Sequence, residues 1–189
     1  DTEGDNYLGG KNLDEAVVNK ILIPALRAEY NLTSYDSTEW KKKALMDALK
    51  GPAEEMRTAL SFADSTDYST YDRNLNLGQD DNGEEIDLEI TMTKEQLVDA
   101  IGDQYQKAIN ICKSLLERNG LTGDDLSSLI LVGGPTYSPI VRNMLEREVT
   151  SDVDTSINPM TAVARGAALY ASTIDAQIDE EKLKEEATS

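Results

Sequence analysis

The chain has 189 residues, 39% of them apolar, enough to bury one domain or two small subdomains. Its 36 acidic and 18 basic side chains give a net charge of −18, which disfavours nucleic-acid binding because neutralising phosphates requires a basic face. With no histidine and a single cysteine, the chain excludes Ser-His-Asp and Cys-His catalysis, zinc sites that need imidazole, and any internal disulfide.

Gly4-Asp5-Asn6-Tyr7-Leu8-Gly9-Gly10 precedes a first predicted helix from about Asn12 to Tyr30, in which Leu13, Val17 and Ile21 recur at i+4. Pro24 should kink it, since an interior proline lacks the amide donor and crowds the preceding turn. A second helix is predicted from Ser37-Thr38, with Trp40, Ala44, Leu45, Ala48 and Leu49 on one face and Gly51-Pro52 as an interruption. Beyond it, Ala53, Met56 and Leu60 form an apolar stripe, and Glu54, Arg57, Thr58 and Ser61 lie opposite. By itself that polar stripe is read as a solvated face. The segments Asn74 to Leu77 and Ile86 to Met92 flank Asp81-Asn82-Gly83 and predict a β-hairpin. The acidic turn Asp80 to Glu85 does not meet EF-hand spacing and is read as solvated, so no metal site is expected.

Thr93 and Gln96 form a capping-box signature for a long helix through Leu97, Ile101, Tyr105, Ile109, Cys112 and Leu116, ending at Asn119-Gly120. Cys112 falls on its apolar face as a structural thiol. Leu129-Ile130-Leu131-Val132 suits a strand covered on both faces, and Gly133-Gly134 then turns the backbone towards a helix that Ser138 can cap, with Pro139 at its first position. This turn matches neither G-x-G-x-x-G nor the Walker pattern, and it serves equally as a structural connection or as a set of free amides for a nucleotide. Asn158-Pro159 opens a further helix whose Ala164, Gly166, Ala167 and Ala168 would pack closely against the strand. From Asp175 the chain is acidic and helix-prone with little to bury. No apolar run approaches the roughly 20 residues that span a bilayer and no signal peptide opens the sequence, so no membrane partner is expected.

The order of these motifs resembles the nucleotide-binding domain of the seventy-kilodalton heat-shock chaperones, the DnaK family. The resemblance rests on the Gly4 to Gly10 segment, on Leu131-Val132-Gly133-Gly134-Pro135-Thr136, and on Asn158-Pro159 followed by Ala162-Val163-Ala164-Arg165-Gly166-Ala167-Ala168. It covers nearly the whole chain apart from the acidic tail. The phosphate loops of the family, Asp-Leu-Gly-Thr-Thr and Asp-x-Gly-Gly-Gly-Thr, are not in this sequence. The resemblance therefore implies an α/β lobe of an actin-like, ribonuclease H-like ATPase, entered after its second phosphate loop. Residues 10–101 would form an inserted helix-plus-hairpin subdomain, residues 1–9 and 102–174 a core subdomain without its first strands, and residues 175–189 a helical or frayed tail.

The resemblance also implies a site. Glu54 to Ser61 is similar to the family's Glu-x-x-Lys-Arg-x-x-Ser, so Glu54 and Arg57 would meet ribose hydroxyls and Ser61 the adenine edge, with Thr58 beside them. Gly133, Gly134, Pro135, Thr136 and Tyr137 would form the opposite wall. Thr58 and Tyr137 stand where the family has a pair of arginines around the base, Pro135 replaces a serine and Met160 an aspartate; Tyr137 can stack on a base, whereas Thr58 cannot. The implied ligand is ATP or ADP, with magnesium held only in the intact protein, and no catalytic residue is expected in this chain, so it should bind nucleotide weakly and not hydrolyse it alone. The implied parent is a cytoplasmic ATP-dependent chaperone, with an exchange factor, a co-chaperone and unfolded peptides as partners. The alternative is a non-catalytic regulatory or partner-binding module with a divergent pocket; a third reading is an actin-like sugar kinase or filament protein sharing the same turn, against which the Gly4 to Gly10 segment and the Glu54 to Ser61 stripe favour the chaperone.

Overall fold

The computed structural model describes residues 1–5 and 8–186, with side chains described as far as residue 174. Helices α1 (Gly10–Val17) and α2 (Ile23–Glu29) are joined without a break by a π-helical turn, Val18–Leu22. The disturbance expected at Pro24 thus lies one turn earlier. Widening Val18–Leu22 lets the Ile23 amide bond to the Val18 carbonyl and makes room for the proline ring, while Pro24 itself sits in the first turn of α2. Leu13, Val17, Val18, Leu22 and Leu26 line the buried side of this composite helix.

After the short α3 (Thr33–Ser37), α4 runs unbroken from Glu39 to Ala59. The interruption expected at Gly51-Pro52 does not occur. Pro52 is inside the helix, buried in line with Leu45, Leu49, Ala53 and Met56, and the burial of that stripe outweighs the roughly 3 kcal/mol that an interior proline costs. Trp40 and Ala44, placed on the same face by the sequence reading, are exposed.

The predicted hairpin is corrected in its partner. Strand β2 (Glu89–Thr93) pairs antiparallel with β1 (Ser65–Ser69), in the register Ser65 opposite Thr93 and Ser69 opposite Glu89. Residues 74–77 are not a strand; Asn74 takes a positive φ of 50°, and the acidic turn is closed by a Gln79–Glu85 bridge and by the Asp80 amide donating to the Glu84 carbonyl at 2.8 Å. Asp80 organises that turn by accepting from the amides of Asn31, Asn82 and Glu84. Local Asx bonding of this kind offers the backbone of the turn an alternative to a ladder.

Helix α5 (Lys94–Arg118) is the central rod, capped as expected: Thr93 Oγ1 accepts from the Gln96 amide at 3.2 Å and Gln96 Oε1 from the Thr93 amide at 2.9 Å. Leu97, Ile101, Tyr105 and Ile109 are buried along it, each contributing on the order of 2 kcal/mol. Cys112 is half-buried, and burial raises its thiol pKa.

The remaining elements are a parallel pair, β3 (Leu129–Ile130) with β4 (Val153–Asp154), separated by α6 (Pro139–Glu148), and a last helix, α7 (Ala162–Glu186). The strand expected to be covered on both faces is covered on one: Leu131 is buried, whereas Ile130 and Val132 are 54% and 50% exposed. The regular part of helix α7 begins at Ala162, and Asn158 leads into it as expected, its carboxamide accepting from the Met160 amide at 2.9 Å and its carbonyl from the Ala162 amide at 3.0 Å. Ala164, Gly166, Ala167 and Ala168 are exposed and do not pack on the strand.

Candidate functional site

The polar stripe of α4 is only in part the solvated face that its period suggests: Glu54 and Thr58 are exposed, whereas Arg57 and Ser61 are partly covered. Its middle member, Arg57, lies against α1 with only 11% of its side chain exposed, and its Nε donates to Asp14 Oδ1 at 2.7 Å. Asp14 is 9% exposed in the same measure and stands among Leu13, Ala16 and Val17, so the buried face of α1 supplies the counter-charge that lets a guanidinium leave water. Tyr105 of α5 is buried close to this pair. Burial pushes its phenol pKa up, nearby Arg57 acting in the opposite sense, and its hydroxyl has no hydrogen bond of good geometry among the described residues.

The glycine turn meets this corner. A Cβ on Gly10 would lie 3.4 Å from Pro135 Cγ and 4.0 Å from Arg57 Nη2, so the Arg57 guanidinium and Pro135 converge on the same side of the first residue of α1. Gly133 takes φ 92°, a conformation that side-chain-bearing residues rarely adopt, and its amide donates to the Pro159 carbonyl at 2.9 Å. Residues Gly134–Tyr137 then form a single 3₁₀ turn before Ser138 caps α6 through the Ile140 amide.

Fewer amides remain available than the sequence suggests. Thr136 N–H and Thr136 Oγ1 both donate to the Gly133 carbonyl, and Ser138 N–H donates to that of Pro135. The turn is consequently a partly self-satisfied wall, and a Cβ on Gly134 would stand 3.4 Å from Met160 Sδ.

The walls touch a second time at their outer end. The Phe62 and Tyr137 rings are 5.9 Å apart at 60°, and the Arg142 guanidinium lies 5.5 Å from the Tyr137 centroid while its Nε donates to the Thr136 carbonyl at 3.1 Å. Of the residues singled out from sequence, Arg57, Pro135 and Tyr137 are thus brought to the junction. Ser61 stands between those two contacts, its hydroxyl donating back to the Arg57 carbonyl at 3.4 Å. Glu54 and Thr58 are exposed on α4 and make no ion pair or side-chain hydrogen bond among the described residues. Asp14, Phe62, Tyr105 and Arg142 were missed. Asp14 was legible as an acid among buried positions of α1, which demands a cation; Phe62 carries no local signal. A wide depression of about 580 Å³ in the β1–β2 loop, lined by Thr70, Asn74, Asn76 and Asp87 among others, shares no residue with this junction.

Residues 1–185 match the family model described as Hsp70 protein. A relative named chaperone protein DnaK, from Nitrosopumilus maritimus (strain SCM1), is 27% identical over 173 residues, which are 92% of this chain and 26% of that protein. The chain therefore spans about a quarter of the length of that curated relative.

Proposed function

Because the chain belongs to the Hsp70 protein family, we propose that it forms the adenosine-side wall of the nucleotide site in a DnaK-like, ATP-dependent chaperone of actin-like fold. The observation that carries this reading is the convergence of the Arg57 guanidinium and the Gly133–Tyr137 turn around Gly10. Two walls from segments far apart in sequence meet at a polar corner with an aromatic end, the composition that a nucleoside needs.

In this reading ATP or ADP lays its ribose along α4. Arg57, held through Nε by Asp14, keeps its Nη groups to donate to a hydroxyl, and Glu54 accepts from the neighbouring one. Ser61 takes the adenine edge, and the base lies against Gly134, Pro135 and Tyr137. Since Asp14 neutralises Arg57, this corner favours the uncharged sugar over the phosphates, whose binding and magnesium belong to other segments of the family fold. Thr58 lies outside the contact. Closure of the two lobes around nucleotide then biases a peptide-binding site in the rest of the protein, with an exchange factor and a co-chaperone acting on that cycle. The same reading takes the parent to be a cytoplasmic chaperone; no helix among the described residues is long and apolar enough to cross a membrane.

Isothermal calorimetry of the full-length protein tests the assignment. Arg57→Ala should weaken ADP binding by about 1 to 3 kcal/mol, the range for removing a charge-assisted hydrogen bond and stranding its partner. Unchanged affinity would remove Arg57 from the site.

A further inference from the structure

We infer that Phe62, together with Tyr137, forms an aromatic corner on which the base of the bound nucleotide stacks, making Phe62 a base-recognition residue of this site. The inference rests on the adenosine reading above and names a contact that reading does not contain. Phe62 is the only phenylalanine in the chain and is 69% exposed; Tyr137, in the opposite wall, is 43% exposed. A large ring left this open at the end of a helix has no packing role in the core, yet these two rings touch across the walls at the point where Ser61 ends the polar stripe.

The geometry decides how a base would fit. Slotting a planar base between two rings needs a separation of about twice the roughly 3.5 Å carbon contact distance, with the rings parallel. At 5.9 Å and 60° the rings are too close and too inclined for that, and they form a tilted corner instead. A base stacks on one ring and presents its edge to the other. Arg142 lies over the Tyr137 ring and is fixed by the Thr136 carbonyl, so the tyrosine is held in position before the ligand arrives, and the more exposed Phe62 offers the free face. Aromatic carbon thereby takes over the support that a pair of guanidinium planes would give a base, without adding charge to a site whose one buried cation is already paired with Asp14.

Three substitutions at Phe62, read by ADP calorimetry on the full-length protein, separate stacking from mere apolar cover. Because the side chain is exposed, none should disturb folding, which circular dichroism checks. Phe62→Ala should bind ADP about tenfold more weakly, in the range of stacking losses; Phe62→Leu should lose nearly as much, and Phe62→Tyr should bind like the wild type. Wild-type affinity in Phe62→Ala or Phe62→Leu overturns the aromatic corner while leaving the Arg57 result intact. A wild-type protein that binds no adenine nucleotide overturns the site reading and this inference with it.

Discussion

The two stretches that meet at the candidate site are built to different standards of packing. Up to Ile109 the chain is closed around its own core: Leu22, Leu49, Met56, Ile86, Leu88, Met92 and Ile101 are among its fully buried side chains. Beyond it, the best-buried apolar residues are Leu131, Val141 and Leu145 at 5–7% exposure, while Ile130, Val132, Val163, Leu169 and Tyr170 face outward. The α4 wall of the site is therefore fixed by burial, and the glycine-turn wall by hydrogen bonds, local ones from Thr136 and Ser138 and a distant one from Gly133 to the Pro159 carbonyl. The lesson is that a polar site can hold its geometry in either way, and each way fails differently.

The largest effect is expected in the buried wall. Asp14→Ala strands Arg57, and losing one partner of a buried pair costs about 3 to 5 kcal/mol. Chemical denaturation should show that loss, and the double variant Asp14→Ala with Arg57→Met should recover much of it. A loss under about 1 kcal/mol would mean that the pair is effectively solvated.

In the second stretch the most sensitive point is steric. A Cβ on Gly123 would lie 1.7 Å from the Val149 carbonyl oxygen, so the backbone itself must shift in Gly123→Ala. A destabilisation of about 1 to 3 kcal/mol is expected, with faster amide exchange in β3 and β4 and little change in α4. Equal loosening of both stretches would contradict their separate support.

Where the sequence speaks through local chemistry, it was legible. The Thr93–Gln96 box, the Ser138 cap and the helix stop at Gly120, whose φ is 67°, all stand as expected. What escaped depended on contacts distant in sequence. Pro52 is tolerated because its flanks are buried, β2 pairs with Ser65–Ser69 rather than with the residues just across the turn, and Arg57 leaves water because it meets Asp14, 43 residues away. At the site, the sequence pointed to Arg57 and the turn through family resemblance, whereas Phe62 became visible only when its ring met Tyr137.

The smallest effect lies at the joint between the stretches. Glu148 of α6 accepts from Lys113 and Gln106 of α5 at 2.8 and 3.1 Å, and the ammonium of Lys113, then Arg147, then Gln106 lower its pKa from 4.5 to about 2. A carboxyl depressed on folding adds stability above its unfolded value, and that contribution is lost as pH falls through the folded one. Thermal unfolding of wild type and Glu148→Gln should therefore differ most above pH 4.5 and converge towards pH 2. A difference that stays constant across that window would show that Glu148 does not clamp α6 to α5.

The central claim is that the α4 stripe and the glycine turn together hold adenosine. A crystal structure of the full-length protein with ADP tests it most directly. The ribose hydroxyls should lie within hydrogen-bond distance of Arg57 and Glu54, with the base against Gly134 and the Phe62–Tyr137 corner. ADP bound with its adenosine away from both walls would contradict the account.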